Sequence, residues 1–209
     1  MRKSGVLFFF ILFLLSCNES VKTPVAESDI KDSLTINRTE NIINPNPSLD
    51  LSPMDMIYFP EDYPVQKMTK HISEPPIARV IYSRPRVQGR KVFGELLKYD
   101  SPWRLGANES TEIDFFRDLY IEGIKIPAGR YILYCIPKEK SWTIVFNKNI
   151  DSWGLRMDQS LDLFRFVIPI MNTNYKEEYF TMRFESKDKG MNLLMSWDHT
   201  IARLPIHYK

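Results

Sequence analysis

The densest cluster of chemically capable side chains is Arg84, Arg86, Arg90, Lys91, Arg104, Asn108 and Glu109, in the longest stretch without a clear strand pattern. Arginine forks bind carboxylates, phosphates or sugar hydroxyls in pairs of parallel hydrogen bonds. Tyr82, Tyr99 and Trp103 are close in sequence and offer flat faces for a sugar ring or a stacked guanidinium. One reading is a shallow pocket for an anionic or carbohydrate ligand. The other is a self-contained loop network, because a long loop laid over a sheet must satisfy its own backbone groups. Position divides the cluster between the two. Arg104, Asn108 and Glu109 flank a tight Gly106-Ala107-Asn108 turn and are expected to hold the loop, Arg104 pairing with Glu109. Arg84 precedes Pro85 and Arg90 follows Gly89, so both are expected to project toward a ligand, with Tyr82 and Trp103 beside them.

Other arrangements carry less. Glu109, Glu112, Asp114 and Asp198 are carboxylates available for glycoside hydrolysis, but nothing in the sequence fixes a separation between any two. Ser196, Asp198 and His199 contain the residue types of a hydrolytic triad, yet no nucleophile elbow surrounds Ser196 and a turn explains them better. His71, His199 and His207 show no zinc-ligand spacing, and no glycine-rich phosphate loop occurs. No catalytic set, metal site or cofactor is therefore expected. Trp142, Trp153 and Trp197 read as core rather than as a sugar platform, and Cys135 as a small buried hydrophobe.

The elements that must position these residues follow from hydrophobic period. Trp142, Ile144 and Phe146 alternate with polar or outward residues, as do Phe180, Met182 and Phe184. Phe164 to Ile170 and Met191 to Trp197 repeat the pattern, which belongs to strands with one buried face. Further strands are expected at 77–83, 111–116, 118–122, 130–136 and 200–207. Glu122-Gly123 suits a tight turn, and Asp198-His199-Thr200 suggests a C-terminal hairpin. Short strands at regular spacing predict an all-β, antiparallel sandwich or jelly-roll-like domain over 65–209. One short helix is expected near Lys91–Lys98.

The N-terminus differs. Arg2 and Lys3 precede an unbroken apolar run from Val6 to Leu15, too short to span a bilayer but suited to a signal-peptide core. It ends in Leu14-Leu15-Ser16-Cys17, which resembles the bacterial lipobox. Residues 1–16 are thus expected to be removed and Cys17 to be acylated, placing the protein in the cell envelope on a membrane, the outer rather than the inner. Residues 17–64 are rich in Ser, Thr, Asn, Asp, Glu and Pro, and read as a lipidated flexible tether. Its later part, Met54 to Pro60, is more apolar and could add an edge strand. Asp32-Ser33-Leu34 resembles an acceptor pattern for O-glycosylation. Removing Arg2 and Lys3 leaves 26 basic residues against 26 acidic ones. That balance argues against nucleic acid as a partner.

Several motifs occur in order: Tyr82-Ser83-Arg84-Pro85, Gly89 to Gly94, Trp103 to Glu109, Ile126 to Tyr131, Trp142 to Asn147, Trp153-Gly154 and Met195 to Asp198. Together they resemble the domain of unknown function 2911 family over about residues 65–207. The resemblance implies an exported, β-rich protein, in many members a lipoprotein, and brings no activity or catalytic residue. Arg130 departs from the small residue expected after the Pro-Ala-Gly turn. The leading expectation is a membrane-anchored, non-enzymatic module that binds a carbohydrate, an anionic small molecule or an envelope protein. The alternatives are a glycan-directed hydrolase of the envelope and a structural subunit of an envelope complex.

Overall fold

A computed structural model describes residues 52–208. The expected signal at 1–16, Cys17, the tether up to residue 51 and Asp32-Ser33-Leu34 lie outside the described residues. The chain forms β1 (Met54–Phe59), α1 (Tyr63–Lys70), β2 (Ala78–Ser83), β3 (Thr111–Phe115), β4 (Leu119–Ile121), β5 (Ile124–Ile126), β6 (Gly129–Pro137), β7 (Ser141–Asn147), β8 (Asp162–Lys187) and β9 (Gly190–His207). All pairings are antiparallel, in the order β1-β2-β3-β6-β7-β8-β9-β4-β5.

β8 joins two parts of this sheet. Its beginning pairs with β7, and its remainder pairs with β9. The inward residues of both parts meet in one core. Tyr82 of β2 packs edge-on against Phe180 of β8, with ring centroids 5.7 Å apart, and the Tyr82 hydroxyl accepts from Met182 N at 2.8 Å. The result is a two-layered, sandwich-like β fold with the alternation the sequence predicts: Trp142, Ile144 and Phe146 are buried on β7, and Phe180, Met182 and Phe184 on β8.

β9 doubles back. The stretch from Gly190 to Ile206 would span roughly 50 Å as a straight strand. Yet a Cβ added at Gly190 would overlap the Ile206 carbonyl oxygen, and Tyr208 N donates to Lys189 O at 3.4 Å. The two ends of β9 therefore lie side by side. The reversal falls near Asp198, where φ is +53°, the position of the expected C-terminal hairpin. Glu122 and Gly123, with φ of +50° and +80°, form the tight turn between β4 and β5.

Met54–Phe59 forms the edge strand that its apolar residues allowed, so ordered pairing starts within the segment read as tether: all of β1 pairs with β2 and Phe59 enters the core. The helical expectations differ from the structure. The helix is at 63–70, with Pro64 in its first turn and Lys67 and Lys70 in its last. No helix forms at 91–98. Gly94 takes φ +93°, and Leu96 N and Leu97 N donate to Lys91 O and Val92 O across wide turns. Val92, Phe93 and Leu97 still pack on the core, from an irregular loop.

That loop, residues 84–110, positions the arginines. It leaves β2 by pairing with β8: Phe180 N donates to Pro85 O and Val87 N to Glu178 O. It returns by pairing with β6, where Trp103 and Cys135 exchange two backbone bonds of 2.7 Å. β3 stops opposite Leu133, so the β6 edge is open at Cys135 for Trp103 to take.

Candidate functional site

Between the two ends of the loop lies a cleft of about 390 Å³, at the small end of the range for small-molecule sites. Arg86, Arg90, Arg104, Gln88 and Ser52 are among its polar residues, and Leu96, Leu97, Trp103 and Trp197 among its apolar ones. No carboxylate is among the described residues lining it.

The aromatic floor is rigid. Trp103 stacks on Trp197 with centroids 5.5 Å apart and planes at 23°, and it meets Phe180 edge-on at 4.9 Å. Its Nε1 donates to Gly106 O at 3.0 Å, so the ring is fixed by packing and by a hydrogen bond. A side chain at Gly106 would be crowded, since a Cβ there would stand 3.1 Å from Ser83 O. The left-handed residues of the turn are Leu105 and Asn108, at φ +51° and +61°.

The arginines divide differently from the sequence-based expectation. Arg84 does not line the cleft. Its Nη2 donates to Thr181 Oγ1 at 2.9 Å and its Nε to Phe180 O at 3.3 Å. Asp55 of β1 lies 3.5 Å from it, and Tyr179 lies beneath it. Arg84 therefore ties β1 and the loop to β8. Arg90 does line the cleft, and its guanidinium also binds Arg86 O at 2.6 Å and Val87 O at 3.1 Å. Arg104 donates to the carbonyls of Asn108 and Trp153 and forms no salt bridge with Glu109 among the described residues. The turn sends Glu109 outward, where it is exposed. Asn108 contributes its carbonyl rather than its side chain.

Tyr82 is completely buried. Burial pushes its hydroxyl well above the ordinary phenol range, and the hydroxyl is engaged by Met182 and Asp55. It has no face to offer a ligand. The sequence passed over Gln88, Leu96, Leu97 and Trp197 as cleft residues, and it left Arg86 unassigned. Only the spacing of Arg86 within the basic cluster hinted at its place.

The remaining candidates separate. Glu109, Glu112 and Asp151 line a second depression of about 280 Å³, beside Ser110, Ser152 and Trp153. Asp114 is instead held by Arg79 at 2.6 Å and by Arg130 at 2.9 Å. Asp198 sits at the β9 reversal. His199 Nδ1 lies 3.2 Å and 3.1 Å from the Thr173 and Tyr175 carbonyls, while Ser196 is buried. Trp142 and Trp197 are core, but Trp153 is 61% exposed, because it lies in the 148–158 connection and not on a strand face. Burial raises the Cys135 thiol well above its usual value. No cluster of His, Cys, Asp and Glu suited to a metal occurs among the described residues.

These contacts predict a division of labour. Arg84→Ala is expected to lower stability by about 1–2 kcal/mol, since its hydrogen bonds carry charge but remain partly solvated. Arg86→Gln is expected to stay within about 0.5 kcal/mol. Denaturant midpoints measure both; an unchanged midpoint for Arg84→Ala would return that side chain to the ligand.

No curated protein and no solved structure matches the chain. Residues 64–206 match the family described as "Protein of unknown function (DUF2911)". That span covers well over half of the sequence and contains every element from α1 through nearly all of β9, and the chain belongs to this family.

Proposed function

We propose that this protein is a lipid-anchored, non-enzymatic binding module of the bacterial cell envelope, and that it takes an anionic small molecule in the cleft of the 84–110 loop. One observation carries the reading: three guanidinium groups line a cleft with an aromatic floor and no carboxylate among its described lining residues. Even with Glu178 3.7 Å from Arg86, such a wall is rich in positive charge and favours an anion. The floor argues against neutral sugars. Trp103 and Trp197 are 6% and 1% exposed, too covered to serve as an open stacking platform. The lipid anchor rests on Leu14-Leu15-Ser16-Cys17, and several acyl chains hold a protein stably to a membrane.

Thermal unfolding of the mature protein in detergent micelles tests the binding role. It is run against a panel of phosphorylated, carboxylated and neutral small molecules. A ligand at about a hundred times its Kd adds about 2.7 kcal/mol, or roughly 5–10 °C in Tm for a domain of this size. Anionic members are expected to give that shift, and Arg86→Gln to remove most of it. Equal shifts in the variant, or shifts only with neutral sugars, would refute the reading.

A further inference from the structure

Two residues that line the cleft carry a buried donor without a hydrogen-bond partner. Arg86 Nε is buried and has no hydrogen-bond partner; Glu178 Oε1 stands 3.7 Å away, beyond hydrogen-bond reach. Trp197 Nε1 is likewise buried and unpaired, on a ring that is 1% exposed. Both residues line the same cleft. Native proteins rarely leave buried donors unsatisfied, and such groups mark places where something else completes the site. Trp142 Nε1 is also unpaired, but Trp142 is not part of the cleft wall.

The chemistry of these two groups narrows what completes them. An indole N–H and a guanidinium donate and never accept. A ligand hydroxyl would meet them with its oxygen but would bring its own proton among donors. A carboxylate or phosphate oxygen brings acceptors only, and its charge suits a wall of guanidinium groups. We propose that the cleft seats an oxyanion, carboxylate or phosphate, whose oxygens accept from Arg86 Nε and Trp197 Nε1, with Arg90 at the same wall. The apolar remainder, Leu96, Leu97 and Trp103, then contacts a ring or short apolar body attached to that anion. This seat rests on the anionic-cleft reading and adds the atoms that hold the charge.

The test follows the tryptophan indole resonances of the isotopically labelled mature chain in micelles, during titration with benzoate, phenyl phosphate and the neutral phenyl glucoside. The Trp197 Nε1–H resonance is expected to move downfield and saturate with one of the two anions, and to stay still with the glucoside. Comparing benzoate with phenyl phosphate separates the two oxyanions. Trp197→Phe is expected to weaken that anion about five- to tenfold, the worth of one lost hydrogen bond. Arg86→Gln should weaken it more than tenfold. If Arg86→Gln abolishes binding while the Trp197 resonance stays still, the seat is wrong and the anionic cleft stands. If neither anion binds at millimolar concentration, or only the glucoside does, both readings fall. Should Trp197→Phe fail to fold, the resonance of the unaltered chain decides alone.

Discussion

Cys17→Ser is expected to abolish lipid incorporation completely and to leave a precursor that keeps its first 16 residues. The thioether that carries a diacylglyceryl group needs a sulfur nucleophile, and serine offers only a hydroxyl of far higher pKa. Without that group the cut before residue 17 is not made in lipobox-type maturation. The ten-residue apolar run of Val6 to Leu15 then stays on the protein, so the variant can remain with the membrane fraction through its uncut signal. Fractionation alone is ambiguous for that reason. The deciding measurements are labelled-fatty-acid incorporation and the intact mass. The second cysteine does not confuse them: Cys135 is fully buried on β6 with its thiol shifted upward, and it is not available for acylation in the folded chain. Equal label in the variant and the parent would sink the anchor, and with it the envelope display.

The parts of the fold legible in the sequence are those whose order comes from one wet and one dry face. β7 and the late part of β8 show their period of two because Trp142, Ile144, Phe146, Phe180, Met182 and Phe184 all reach one core. β1 and α1 are a different case. Their apolar residues are partly exposed, including Met54, Met56, Val65 and Met68, and β1 is ordered by its register with β2. With that partner about twenty to thirty residues away, the apolar residues of 54–60 suggested an edge strand but not its register. Residues 91–98 show the converse. Their apolar spacing fits a helical face, but Gly94 and the bonds back to Lys91 and Val92 bury the same side chains from a loop.

The candidate site was half legible for the same reason. Composition marked the basic loop, and Arg86, Arg90, Arg104 and Trp103 do share one cleft. The roles of individual arginines were not readable, because their partners are remote: Arg84 is held by Phe180 and Thr181, nearly a hundred positions away. The Arg104–Glu109 expectation followed sequence proximity. The left-handed residues at 105 and 108 redirect the chain, and Arg104 finds carbonyls instead. Trp197 was readable as core from its period, but an unpaired indole N–H depends on three-dimensional neighbours.

Trp103 was expected to lend a face to a ligand, and its surroundings assign it a larger part. The ring packs against Phe93, Trp142, Phe180 and Trp197, with centroids 4.9 to 6.4 Å apart within this cluster. Trp103→Ala is expected to cost about 3–5 kcal/mol, the range for truncating a buried tryptophan. That corresponds to a fall of roughly 10–15 °C in Tm. The backbone bridge to Cys135 survives this change in principle, since alanine keeps the same N–H and C=O. What goes is the wedge that holds the returning end of the loop against the core, so the cleft loses its floor and anion binding falls with stability. Trp103→Phe separates packing from hydrogen bonding. It keeps a ring in the cluster but strands the buried Gly106 carbonyl, for about 1–3 kcal/mol. Because phenylalanine preserves the floor and touches none of the proposed oxyanion donors, affinity should stay within a few-fold of the parent. If Trp103→Ala keeps its unfolding midpoint and loses only the ligand, the ring is a recognition surface rather than the fastener of the loop.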